Sequence, residues 1–173
     1  MFRLSEKKDI DAVSRIYDMI HTLEEKGETT IGWARDVYPT RRTCENALLA
    51  GHLFVCEESG EILASAIINN IQVPEYAMCH WSEDAPDDKV MVLHTLCVNP
   101  EMKGRGIGTK FVHFYEEYAK SKGCTSLRMD TQVINTPART LYKKLGYSEI
   151  GTVFCEFNGI KNTELVCLEK KIG

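Results

Sequence analysis

Val90-Met91-Val92-Leu93-His94-Thr95-Leu96-Cys97-Val98 leads through Asn99-Pro100-Glu101-Met102 into Lys103-Gly104-Arg105-Gly106-Ile107-Gly108-Thr109, and this passage decides the fold. The apolar run reads as a buried strand, and Asn99-Pro100 stops it because proline cannot extend a ladder. Gly104, Gly106 and Gly108 allow positive φ and close approach of the backbone to a ligand. An amphipathic helix then opens, and the orphan N–H groups of its first turn point outward. Those donors, the helix dipole and the charges of Lys103, Arg105 and Lys110 together suit an anion. Main-chain N–H groups would hold a diphosphate there.

The loop is not one of the common nucleotide cradles. A dinucleotide fingerprint needs a third glycine three residues after the second, but Thr109 follows Gly106 at that distance and Phe111 follows Gly108. A Walker loop fails as well, since Gly108 is followed by Thr109-Lys110 in the wrong order. What remains is a basic residue followed by x-x-G-x-G. A second segment supplies the context: Asn135-Thr136-Pro137-Ala138-Arg139-Thr140-Leu141-Tyr142-Lys143-Lys144-Leu145-Gly146-Tyr147.

From about Leu93 to Gly151 the chain resembles the GCN5-related N-acetyltransferase (GNAT) family. The loop resembles the R/Q-x-x-G-x-G/A cradle for the pyrophosphate of acetyl-coenzyme A, and the second segment resembles N-x-x-A-x-x-L-Y-x-x-x-G-[FY]. Lys103 departs from the family's usual Arg or Gln, keeping the charge but losing the planar fork. The resemblance implies acetyl-CoA as cosubstrate and assigns cofactor contacts to Leu96, Cys97, Val98, Lys103, Gly104, Arg105, Gly106, Ile107, Gly108, Thr109 and Asn135. It also implies an acyl-CoA N-acyltransferase fold, with strands four and five splayed apart for the pantetheine arm.

The remaining sequence predicts the same α/β class, a mixed twisted sheet flanked by about four helices. Phe2-Arg3-Leu4 opens as a strand, and Ile10, Val13, Ile16, Tyr17, Ile20 and Leu23 recur at helical spacing up to the stop at Gly27. A second helix runs from about Thr40–Thr43 to Gly51. Residues 52–57 and 62–68 form a hairpin, 69–89 a long connection, 106–122 the cofactor helix and 126–130 a strand. Thr136 is the expected cap of the next helix, with Pro137 in its first turn. Strands over 149–157 and 164–170 close the chain around Asn158-Gly159. No linker divides residues 1–173, which read as a single N-acetyltransferase domain.

The implied chemistry is attack of an amine on a thioester, and an ammonium near pKa ~10 must first lose a proton. His94, two residues before Leu96, is placed on the same strand face and resembles the histidine of the arylalkylamine branch, so it is the candidate base. Its alternatives are a hydrogen-bonded core residue beside a water relay. Tyr142 is the candidate acid for the departing thiolate, although Ala138, Leu141, Tyr142 and Leu145 also have the spacing of an ordinary buried face. Trp33, Tyr38, Tyr76, His80 and Trp81 are candidate acceptor-groove residues, the alternative being plain burial.

Composition narrows the partners. A chain of 173 residues can bury a core without disulfides, and its net charge of −4 leaves no basic stripe for nucleic acid. Seven cysteines without a C-x-x-C pair read as reduced core residues, with no metal expected. No secretory h-region or membrane-length apolar run is present, so a cytoplasmic protein is expected. The acidic stretches 24–28 and 83–88 read as solvated loops, with attraction of a cationic acceptor as the second reading. A homodimer stays open, since no apolar stripe demands one. The acceptor is expected to be a small-molecule amine. The alternatives are a non-catalytic acyl-CoA sensor and a protein N-terminal or lysine acetyltransferase, with a kinase a distant third.

Overall fold

In the computed structural model, which describes residues 1–82 and 84–173, the chain forms seven strands and four helices. They are β1 (Phe2–Leu4), α1 (Ile10–Glu25), α2 (Arg41–Leu49), β2 (Leu53–Glu58), β3 (Glu61–Asn69), β4 (Val90–Val98), α3 (Ile107–Ser121), β5 (Ser126–Gln132), α4 (Thr136–Lys144), β6 (Ser148–Phe157) and β7 (Ile160–Lys171). The strands make one sheet in the order β1-β2-β3-β4-β5-β7-β6. Only β4 and β5 pair in parallel among the described strands; the other neighbours are antiparallel. The mixed sheet and the four helices agree with the expected class.

Strand alternation distributes β4 between two layers. Met91 and Leu93 pack with Phe111, Tyr115 and Tyr142, so α3 and α4 cover one face. Cys97 packs with Val13, Tyr17 and Cys44, so α1 and α2 cover the other. Val90 and Val92 also face that second side, where Tyr76 and Trp81 of the 70–89 connection join Val153 and Cys167. This connection, anticipated only as a loop, contains 3₁₀ turns at Pro74–Met78 and Asp87–Lys89. Glu83, part of the acidic stretch, lies outside the described residues. All seven cysteines are free, and five are buried.

Two boundaries differ from expectation. Asn135, not Thr136, caps α4: its Oδ1 accepts from the Ala138 N–H at 3.3 Å. Strand β7 begins at Ile160, because Asn158 (φ +51°) and Gly159 (φ +80°) make a tight two-residue turn that lets pairing start at Phe157 and Ile160. Among the described residues no helix is long and apolar enough to cross a membrane.

Beneath the sheet, the fully buried Tyr115 hydroxyl donates to the Met91 carbonyl of β4 at 2.6 Å and lies 3.2 Å from the Arg128 carbonyl of β5. It ties the two strands together beside the last residues they share. Tyr115→Phe leaves those carbonyls without this donor and is expected to cost about 1–3 kcal/mol, read as a lower urea midpoint at unchanged m-value.

Candidate active site

Four consecutive pairs, Val90–Leu93 against Ser126–Met129, hold β4 to β5. Beyond them the strands part. β4 keeps pairing with β3 as far as Val98–Ala64, and β5 keeps pairing with β7 as far as Gln132–Leu165. The edge of β4 from His94 to Val98 therefore turns toward β5 without a partner strand, as the family resemblance implied. Its main-chain N–H and C=O groups need another partner.

A bulge sharpens the opening. Ile67 pairs with His94 but Ser65 pairs with Cys97, so β4 carries one residue more than β3 across this interval. Thr95, at φ +51°, takes up the surplus. The expected shared face of His94 and Leu96 is thereby undone: His94 lies with Cys97 on the α1/α2 side, whereas Leu96 and Val98 pack toward α3. Sequence periodicity assumes unbroken alternation, and the bulge breaks it. The Thr95 hydroxyl shares a short hydrogen bond with the Tyr38 hydroxyl, which fixes the loop between α1 and α2 over the opening.

That loop is anchored at a second point. Glu24 accepts from the Ile31 and Gly32 N–H groups at 2.8 and 2.7 Å, and Gln132 Nε2 donates to the Gly32 carbonyl at 2.6 Å. A Cβ on Gly32, at φ +84°, would stand 2.0 Å from Gln132 Oε1, so only glycine permits this approach. Trp33 and Tyr38 consequently line a cavity of about 280 Å³. His94, Thr95, Leu96, Asp130, Asn135 and Tyr142 border it too, and the β6–β7 turn contributes Phe157 and Asn158.

The two proposed acid–base residues meet here with different electrostatics. Asn69 Oδ1 accepts from His94 at 3.1 Å, which puts the proton of the neutral ring on Nε2. Burial pushes His94 down to about 4, so the imidazole is neutral at physiological pH. Tyr142 is buried at the base of α4, and burial followed by the negative charge of Asp130 pushes its phenol up, keeping it protonated. Tyr38 is pushed up to about 12 by burial.

Sequence reading missed Asp130. It sits on β5 immediately after the last β4–β5 pair, its Oδ2 accepting from the Tyr76 hydroxyl at 2.8 Å. Burial raises its carboxyl to about 6 despite that hydrogen bond, with Glu75 adding like charge. In sequence it is one acidic residue among twenty-five, and only the position of the strand parting distinguishes it. Tyr76, a candidate wall residue, instead supports that carboxylate from beneath.

The groups expected to hold a cofactor flank the parting. Gly104 and Gly106 take φ +84° and +69°, and a Cβ at either would meet no protein atom within 4 Å. Gly106 precedes α3, whose first N–H groups, from Ile107, Gly108 and Thr109, have no i−4 carbonyl within the helix. Gly108 approaches Leu141 of α4 and Val98, where an added Cβ would find ordinary van der Waals contact. Open space beside unpaired amides at a helix N-terminus fits a diphosphate. Arg105 is occupied, its guanidinium 2.5 Å from Glu58. Lys103 and Lys110 make no ion pair among the described residues. Asn135 donates from Nδ2 to Thr131 at 3.0 Å while capping α4.

His80 and Trp81 do not border the cavity. Trp81 lies over the Arg128 guanidinium at 4.1 Å and donates from Nε1 to the Tyr76 carbonyl, while its neighbour Ser82 donates from its N–H to Glu169 at 2.8 Å. Its aromatic surface packs the 70–89 connection onto the sheet. His80 is exposed next to it.

The sequence profile of the Acetyltransferase (GNAT) family matches residues 16–147. The chain belongs to that family.

The fold of this GNAT chain is that of solved relatives. An acetyltransferase of the GNAT family from Streptococcus agalactiae superposes with a TM-score of 0.84 at 21% identity, covering 100% of this chain and 95% of that one. The ribosomal-protein-S18-alanine N-acetyltransferase of Escherichia coli gives 0.65 at 15% identity, over 100% and 94%. By sequence, the chain is 31% identical over 96 residues to an uncharacterized N-acetyltransferase of Methanocaldococcus jannaschii, covering 56% of this chain and 38% of that protein. It is 33% identical over 75 residues to a thialysine N-epsilon-acetyltransferase of Bos taurus, covering 43% and 44%. The chain thus matches less than half the length of these two relatives.

Gly106→Ala tests the GNAT cradle. The left-handed backbone predicts roughly 1 kcal/mol of destabilisation, and Gly27→Ala, at φ +70° with equally open surroundings at the end of α1, should cost about the same. Calorimetry with coenzyme A is expected to show at least about a tenfold weaker Kd for Gly106→Ala and an unchanged Kd for Gly27→Ala.

Proposed function

We propose that residues 1–173 act as one acetyltransferase domain that moves the acetyl group of acetyl-CoA to the primary amine of a small molecule, by direct attack in a ternary complex. The observation that carries this reading is the juxtaposition of a half-buried carboxylate, Asp130, and a protonated phenol, Tyr142, across one small cavity at the β4–β5 parting. Acetyl-CoA supplies the activated acyl group; the chain supplies orientation, hydrogen bonds and proton transfer.

Asp130 takes the role of proton acceptor in preference to His94. A conjugate acid near 6 is about a hundredfold better matched to an ammonium than one near 4. It also offers the charge that would bring an ammonium into the cavity. Main-chain N–H groups of β4 near Leu96 and Val98 donate to the acyl oxygen as it gains charge. Tyr142 then protonates the sulfur. Of the two protons the nitrogen loses, one restores the Tyr142 phenol after its own proton has passed to the sulfur of coenzyme A, and the other leaves to solvent by way of Asp130. Burial holds the Tyr142 phenol up and the Asp130 charge adds to it, so protonation of Asp130 eases release of the phenol's proton.

A cavity volume of about 280 Å³, at the low end for ligand pockets, supports a small acceptor. The loop holding Trp33 and Tyr38 closes over it, which disfavours an extended protein segment. Relatives named for thialysine in Bos taurus and for aminoglycosides in Klebsiella aerogenes act on amines of small molecules; both acceptors bear further charges, so they support a small-molecule amine and not its charge. A cytoplasmic location goes with a supply of acetyl-CoA. Tyr142→Phe is expected to lower kcat by about 10²-fold or more with coenzyme A affinity unchanged, measured by thiol release against a pool of amines; unchanged turnover contradicts the acid role.

The pH profile separates the two bases. Asp130 must be ionised to accept a proton, so kcat/KM should rise with pH through about 6 and level above it. A rise centred near 4 would return the role to His94.

A further inference from the structure

The cavity wall carries one formal charge. Among the described residues that line it, Asp130 is the single carboxylate, His94 is held neutral, and neither lysine nor arginine takes part. The Tyr76 hydroxyl occupies Asp130 Oδ2, and Oδ1 has no hydrogen-bond partner among the described residues. Around this carboxylate the wall is apolar, with Ile31, Trp33, Ile71, Val73, Phe157 and Ile160. Its other polar groups, such as Asn69, Asn158 and Thr131, are neutral.

We propose that the acceptor is a monocationic primary amine with an apolar body, its ammonium seated against Asp130, and that the wall selects against amines bearing a second charge of either sign. The proposal deepens the acetyl-transfer reading and rests on it. A carboxylate on the acceptor would enter a wall that offers no cation and would face Asp130 across a small, poorly solvated space. A second ammonium would be buried against isoleucine and valine with no anion of its own. In both cases the added charge loses its hydration without compensation. An alkyl or aryl group in the same position gains by leaving water. Zwitterionic amino acids and short diamines are thus poor acceptors even though each presents a competent amine.

Three four-carbon acceptors isolate the effect, since they share one amine and differ only at the far end: butylamine, 1,4-diaminobutane and 4-aminobutanoate. With wild-type protein and acetyl-CoA, thiol release is expected to give a kcat/KM for butylamine at least about a hundredfold above either of the others. Equal values, or a preference for the diamine or the amino acid, overturn the selectivity while leaving acetyl transfer intact. Release with none of these amines, nor with a wider pool, overturns the acetyl-transfer reading and the selectivity together. Asp130→Asn adds a binding readout: 1-butanol, the neutral analogue, should inhibit wild type and variant with the same Ki, while the KM for butylamine rises at least about tenfold in the variant. An unchanged KM removes Asp130 as the ammonium's partner.

Discussion

Everything at this site depends on two parallel strands ceasing to pair. β4 and β5 share four residue pairs and then separate, which exposes strand edge inside the protein and not at its rim. An unpartnered edge within a fold is costly unless something hydrogen-bonds to it. The surrounding structure keeps this one open: β4 is held on its other side by β3, β5 by β7, and Tyr115 clamps both strands from below. The bulge at Thr95 turns His94 and Leu96 to opposite faces, and its hydroxyl holds Tyr38. The parting, the cradle that opens α3 and the cavity are therefore successive parts of one feature. A strand brings the chain to the turn, the turn exposes amides, and the separation leaves space beside them.

Burial governs the chemistry within that space. The same poorly solvated surroundings push a carboxyl up, an imidazole down and a phenol further up, each toward its neutral form. The outcome is a set of groups with distinct tasks. Asp130 sits at a value where gain and loss of a proton are both accessible near neutrality, Tyr142 retains its proton, and His94 serves as a neutral hydrogen-bonding partner of Asn69. Tyr76 reaches Asp130 from the 70–89 connection, so a segment without regular strands or α-helices supports the central carboxylate.

The legible parts of the sequence were those where local rules act without competition. β4, α1 and α4 follow from apolar periodicity and from proline and glycine punctuation, and Gly104 and Gly106 of the cradle are readable because positive φ asks for glycine there, whereas Gly108 lies inside α3 with helical backbone and not the expected positive φ. The Asn135–Tyr147 segment supplied a resemblance that periodicity alone could not. Illegible features arise between distant segments. The bulge at Thr95 shows only in the register of β4 against β3, and nothing in Leu-His-Thr-Leu announces it. Asp130 acquires its character from the end of strand pairing and from a tyrosine 54 residues away. Trp81, an aromatic in a long loop, resembled a wall residue but is drawn onto Arg128. Gly32 meets the end of a glutamine side chain 100 residues later, a contact with no local signature.

A crystal structure with coenzyme A bound is the most direct measurement. The expected result is a diphosphate against the amides from Gly104 to Thr109, with the pantetheine arm running along the unpaired edge of β4 and the sulfur directed toward Tyr142 and Asp130. Coenzyme A held elsewhere, or β4 and β5 paired to their ends with no passage between them, would contradict it.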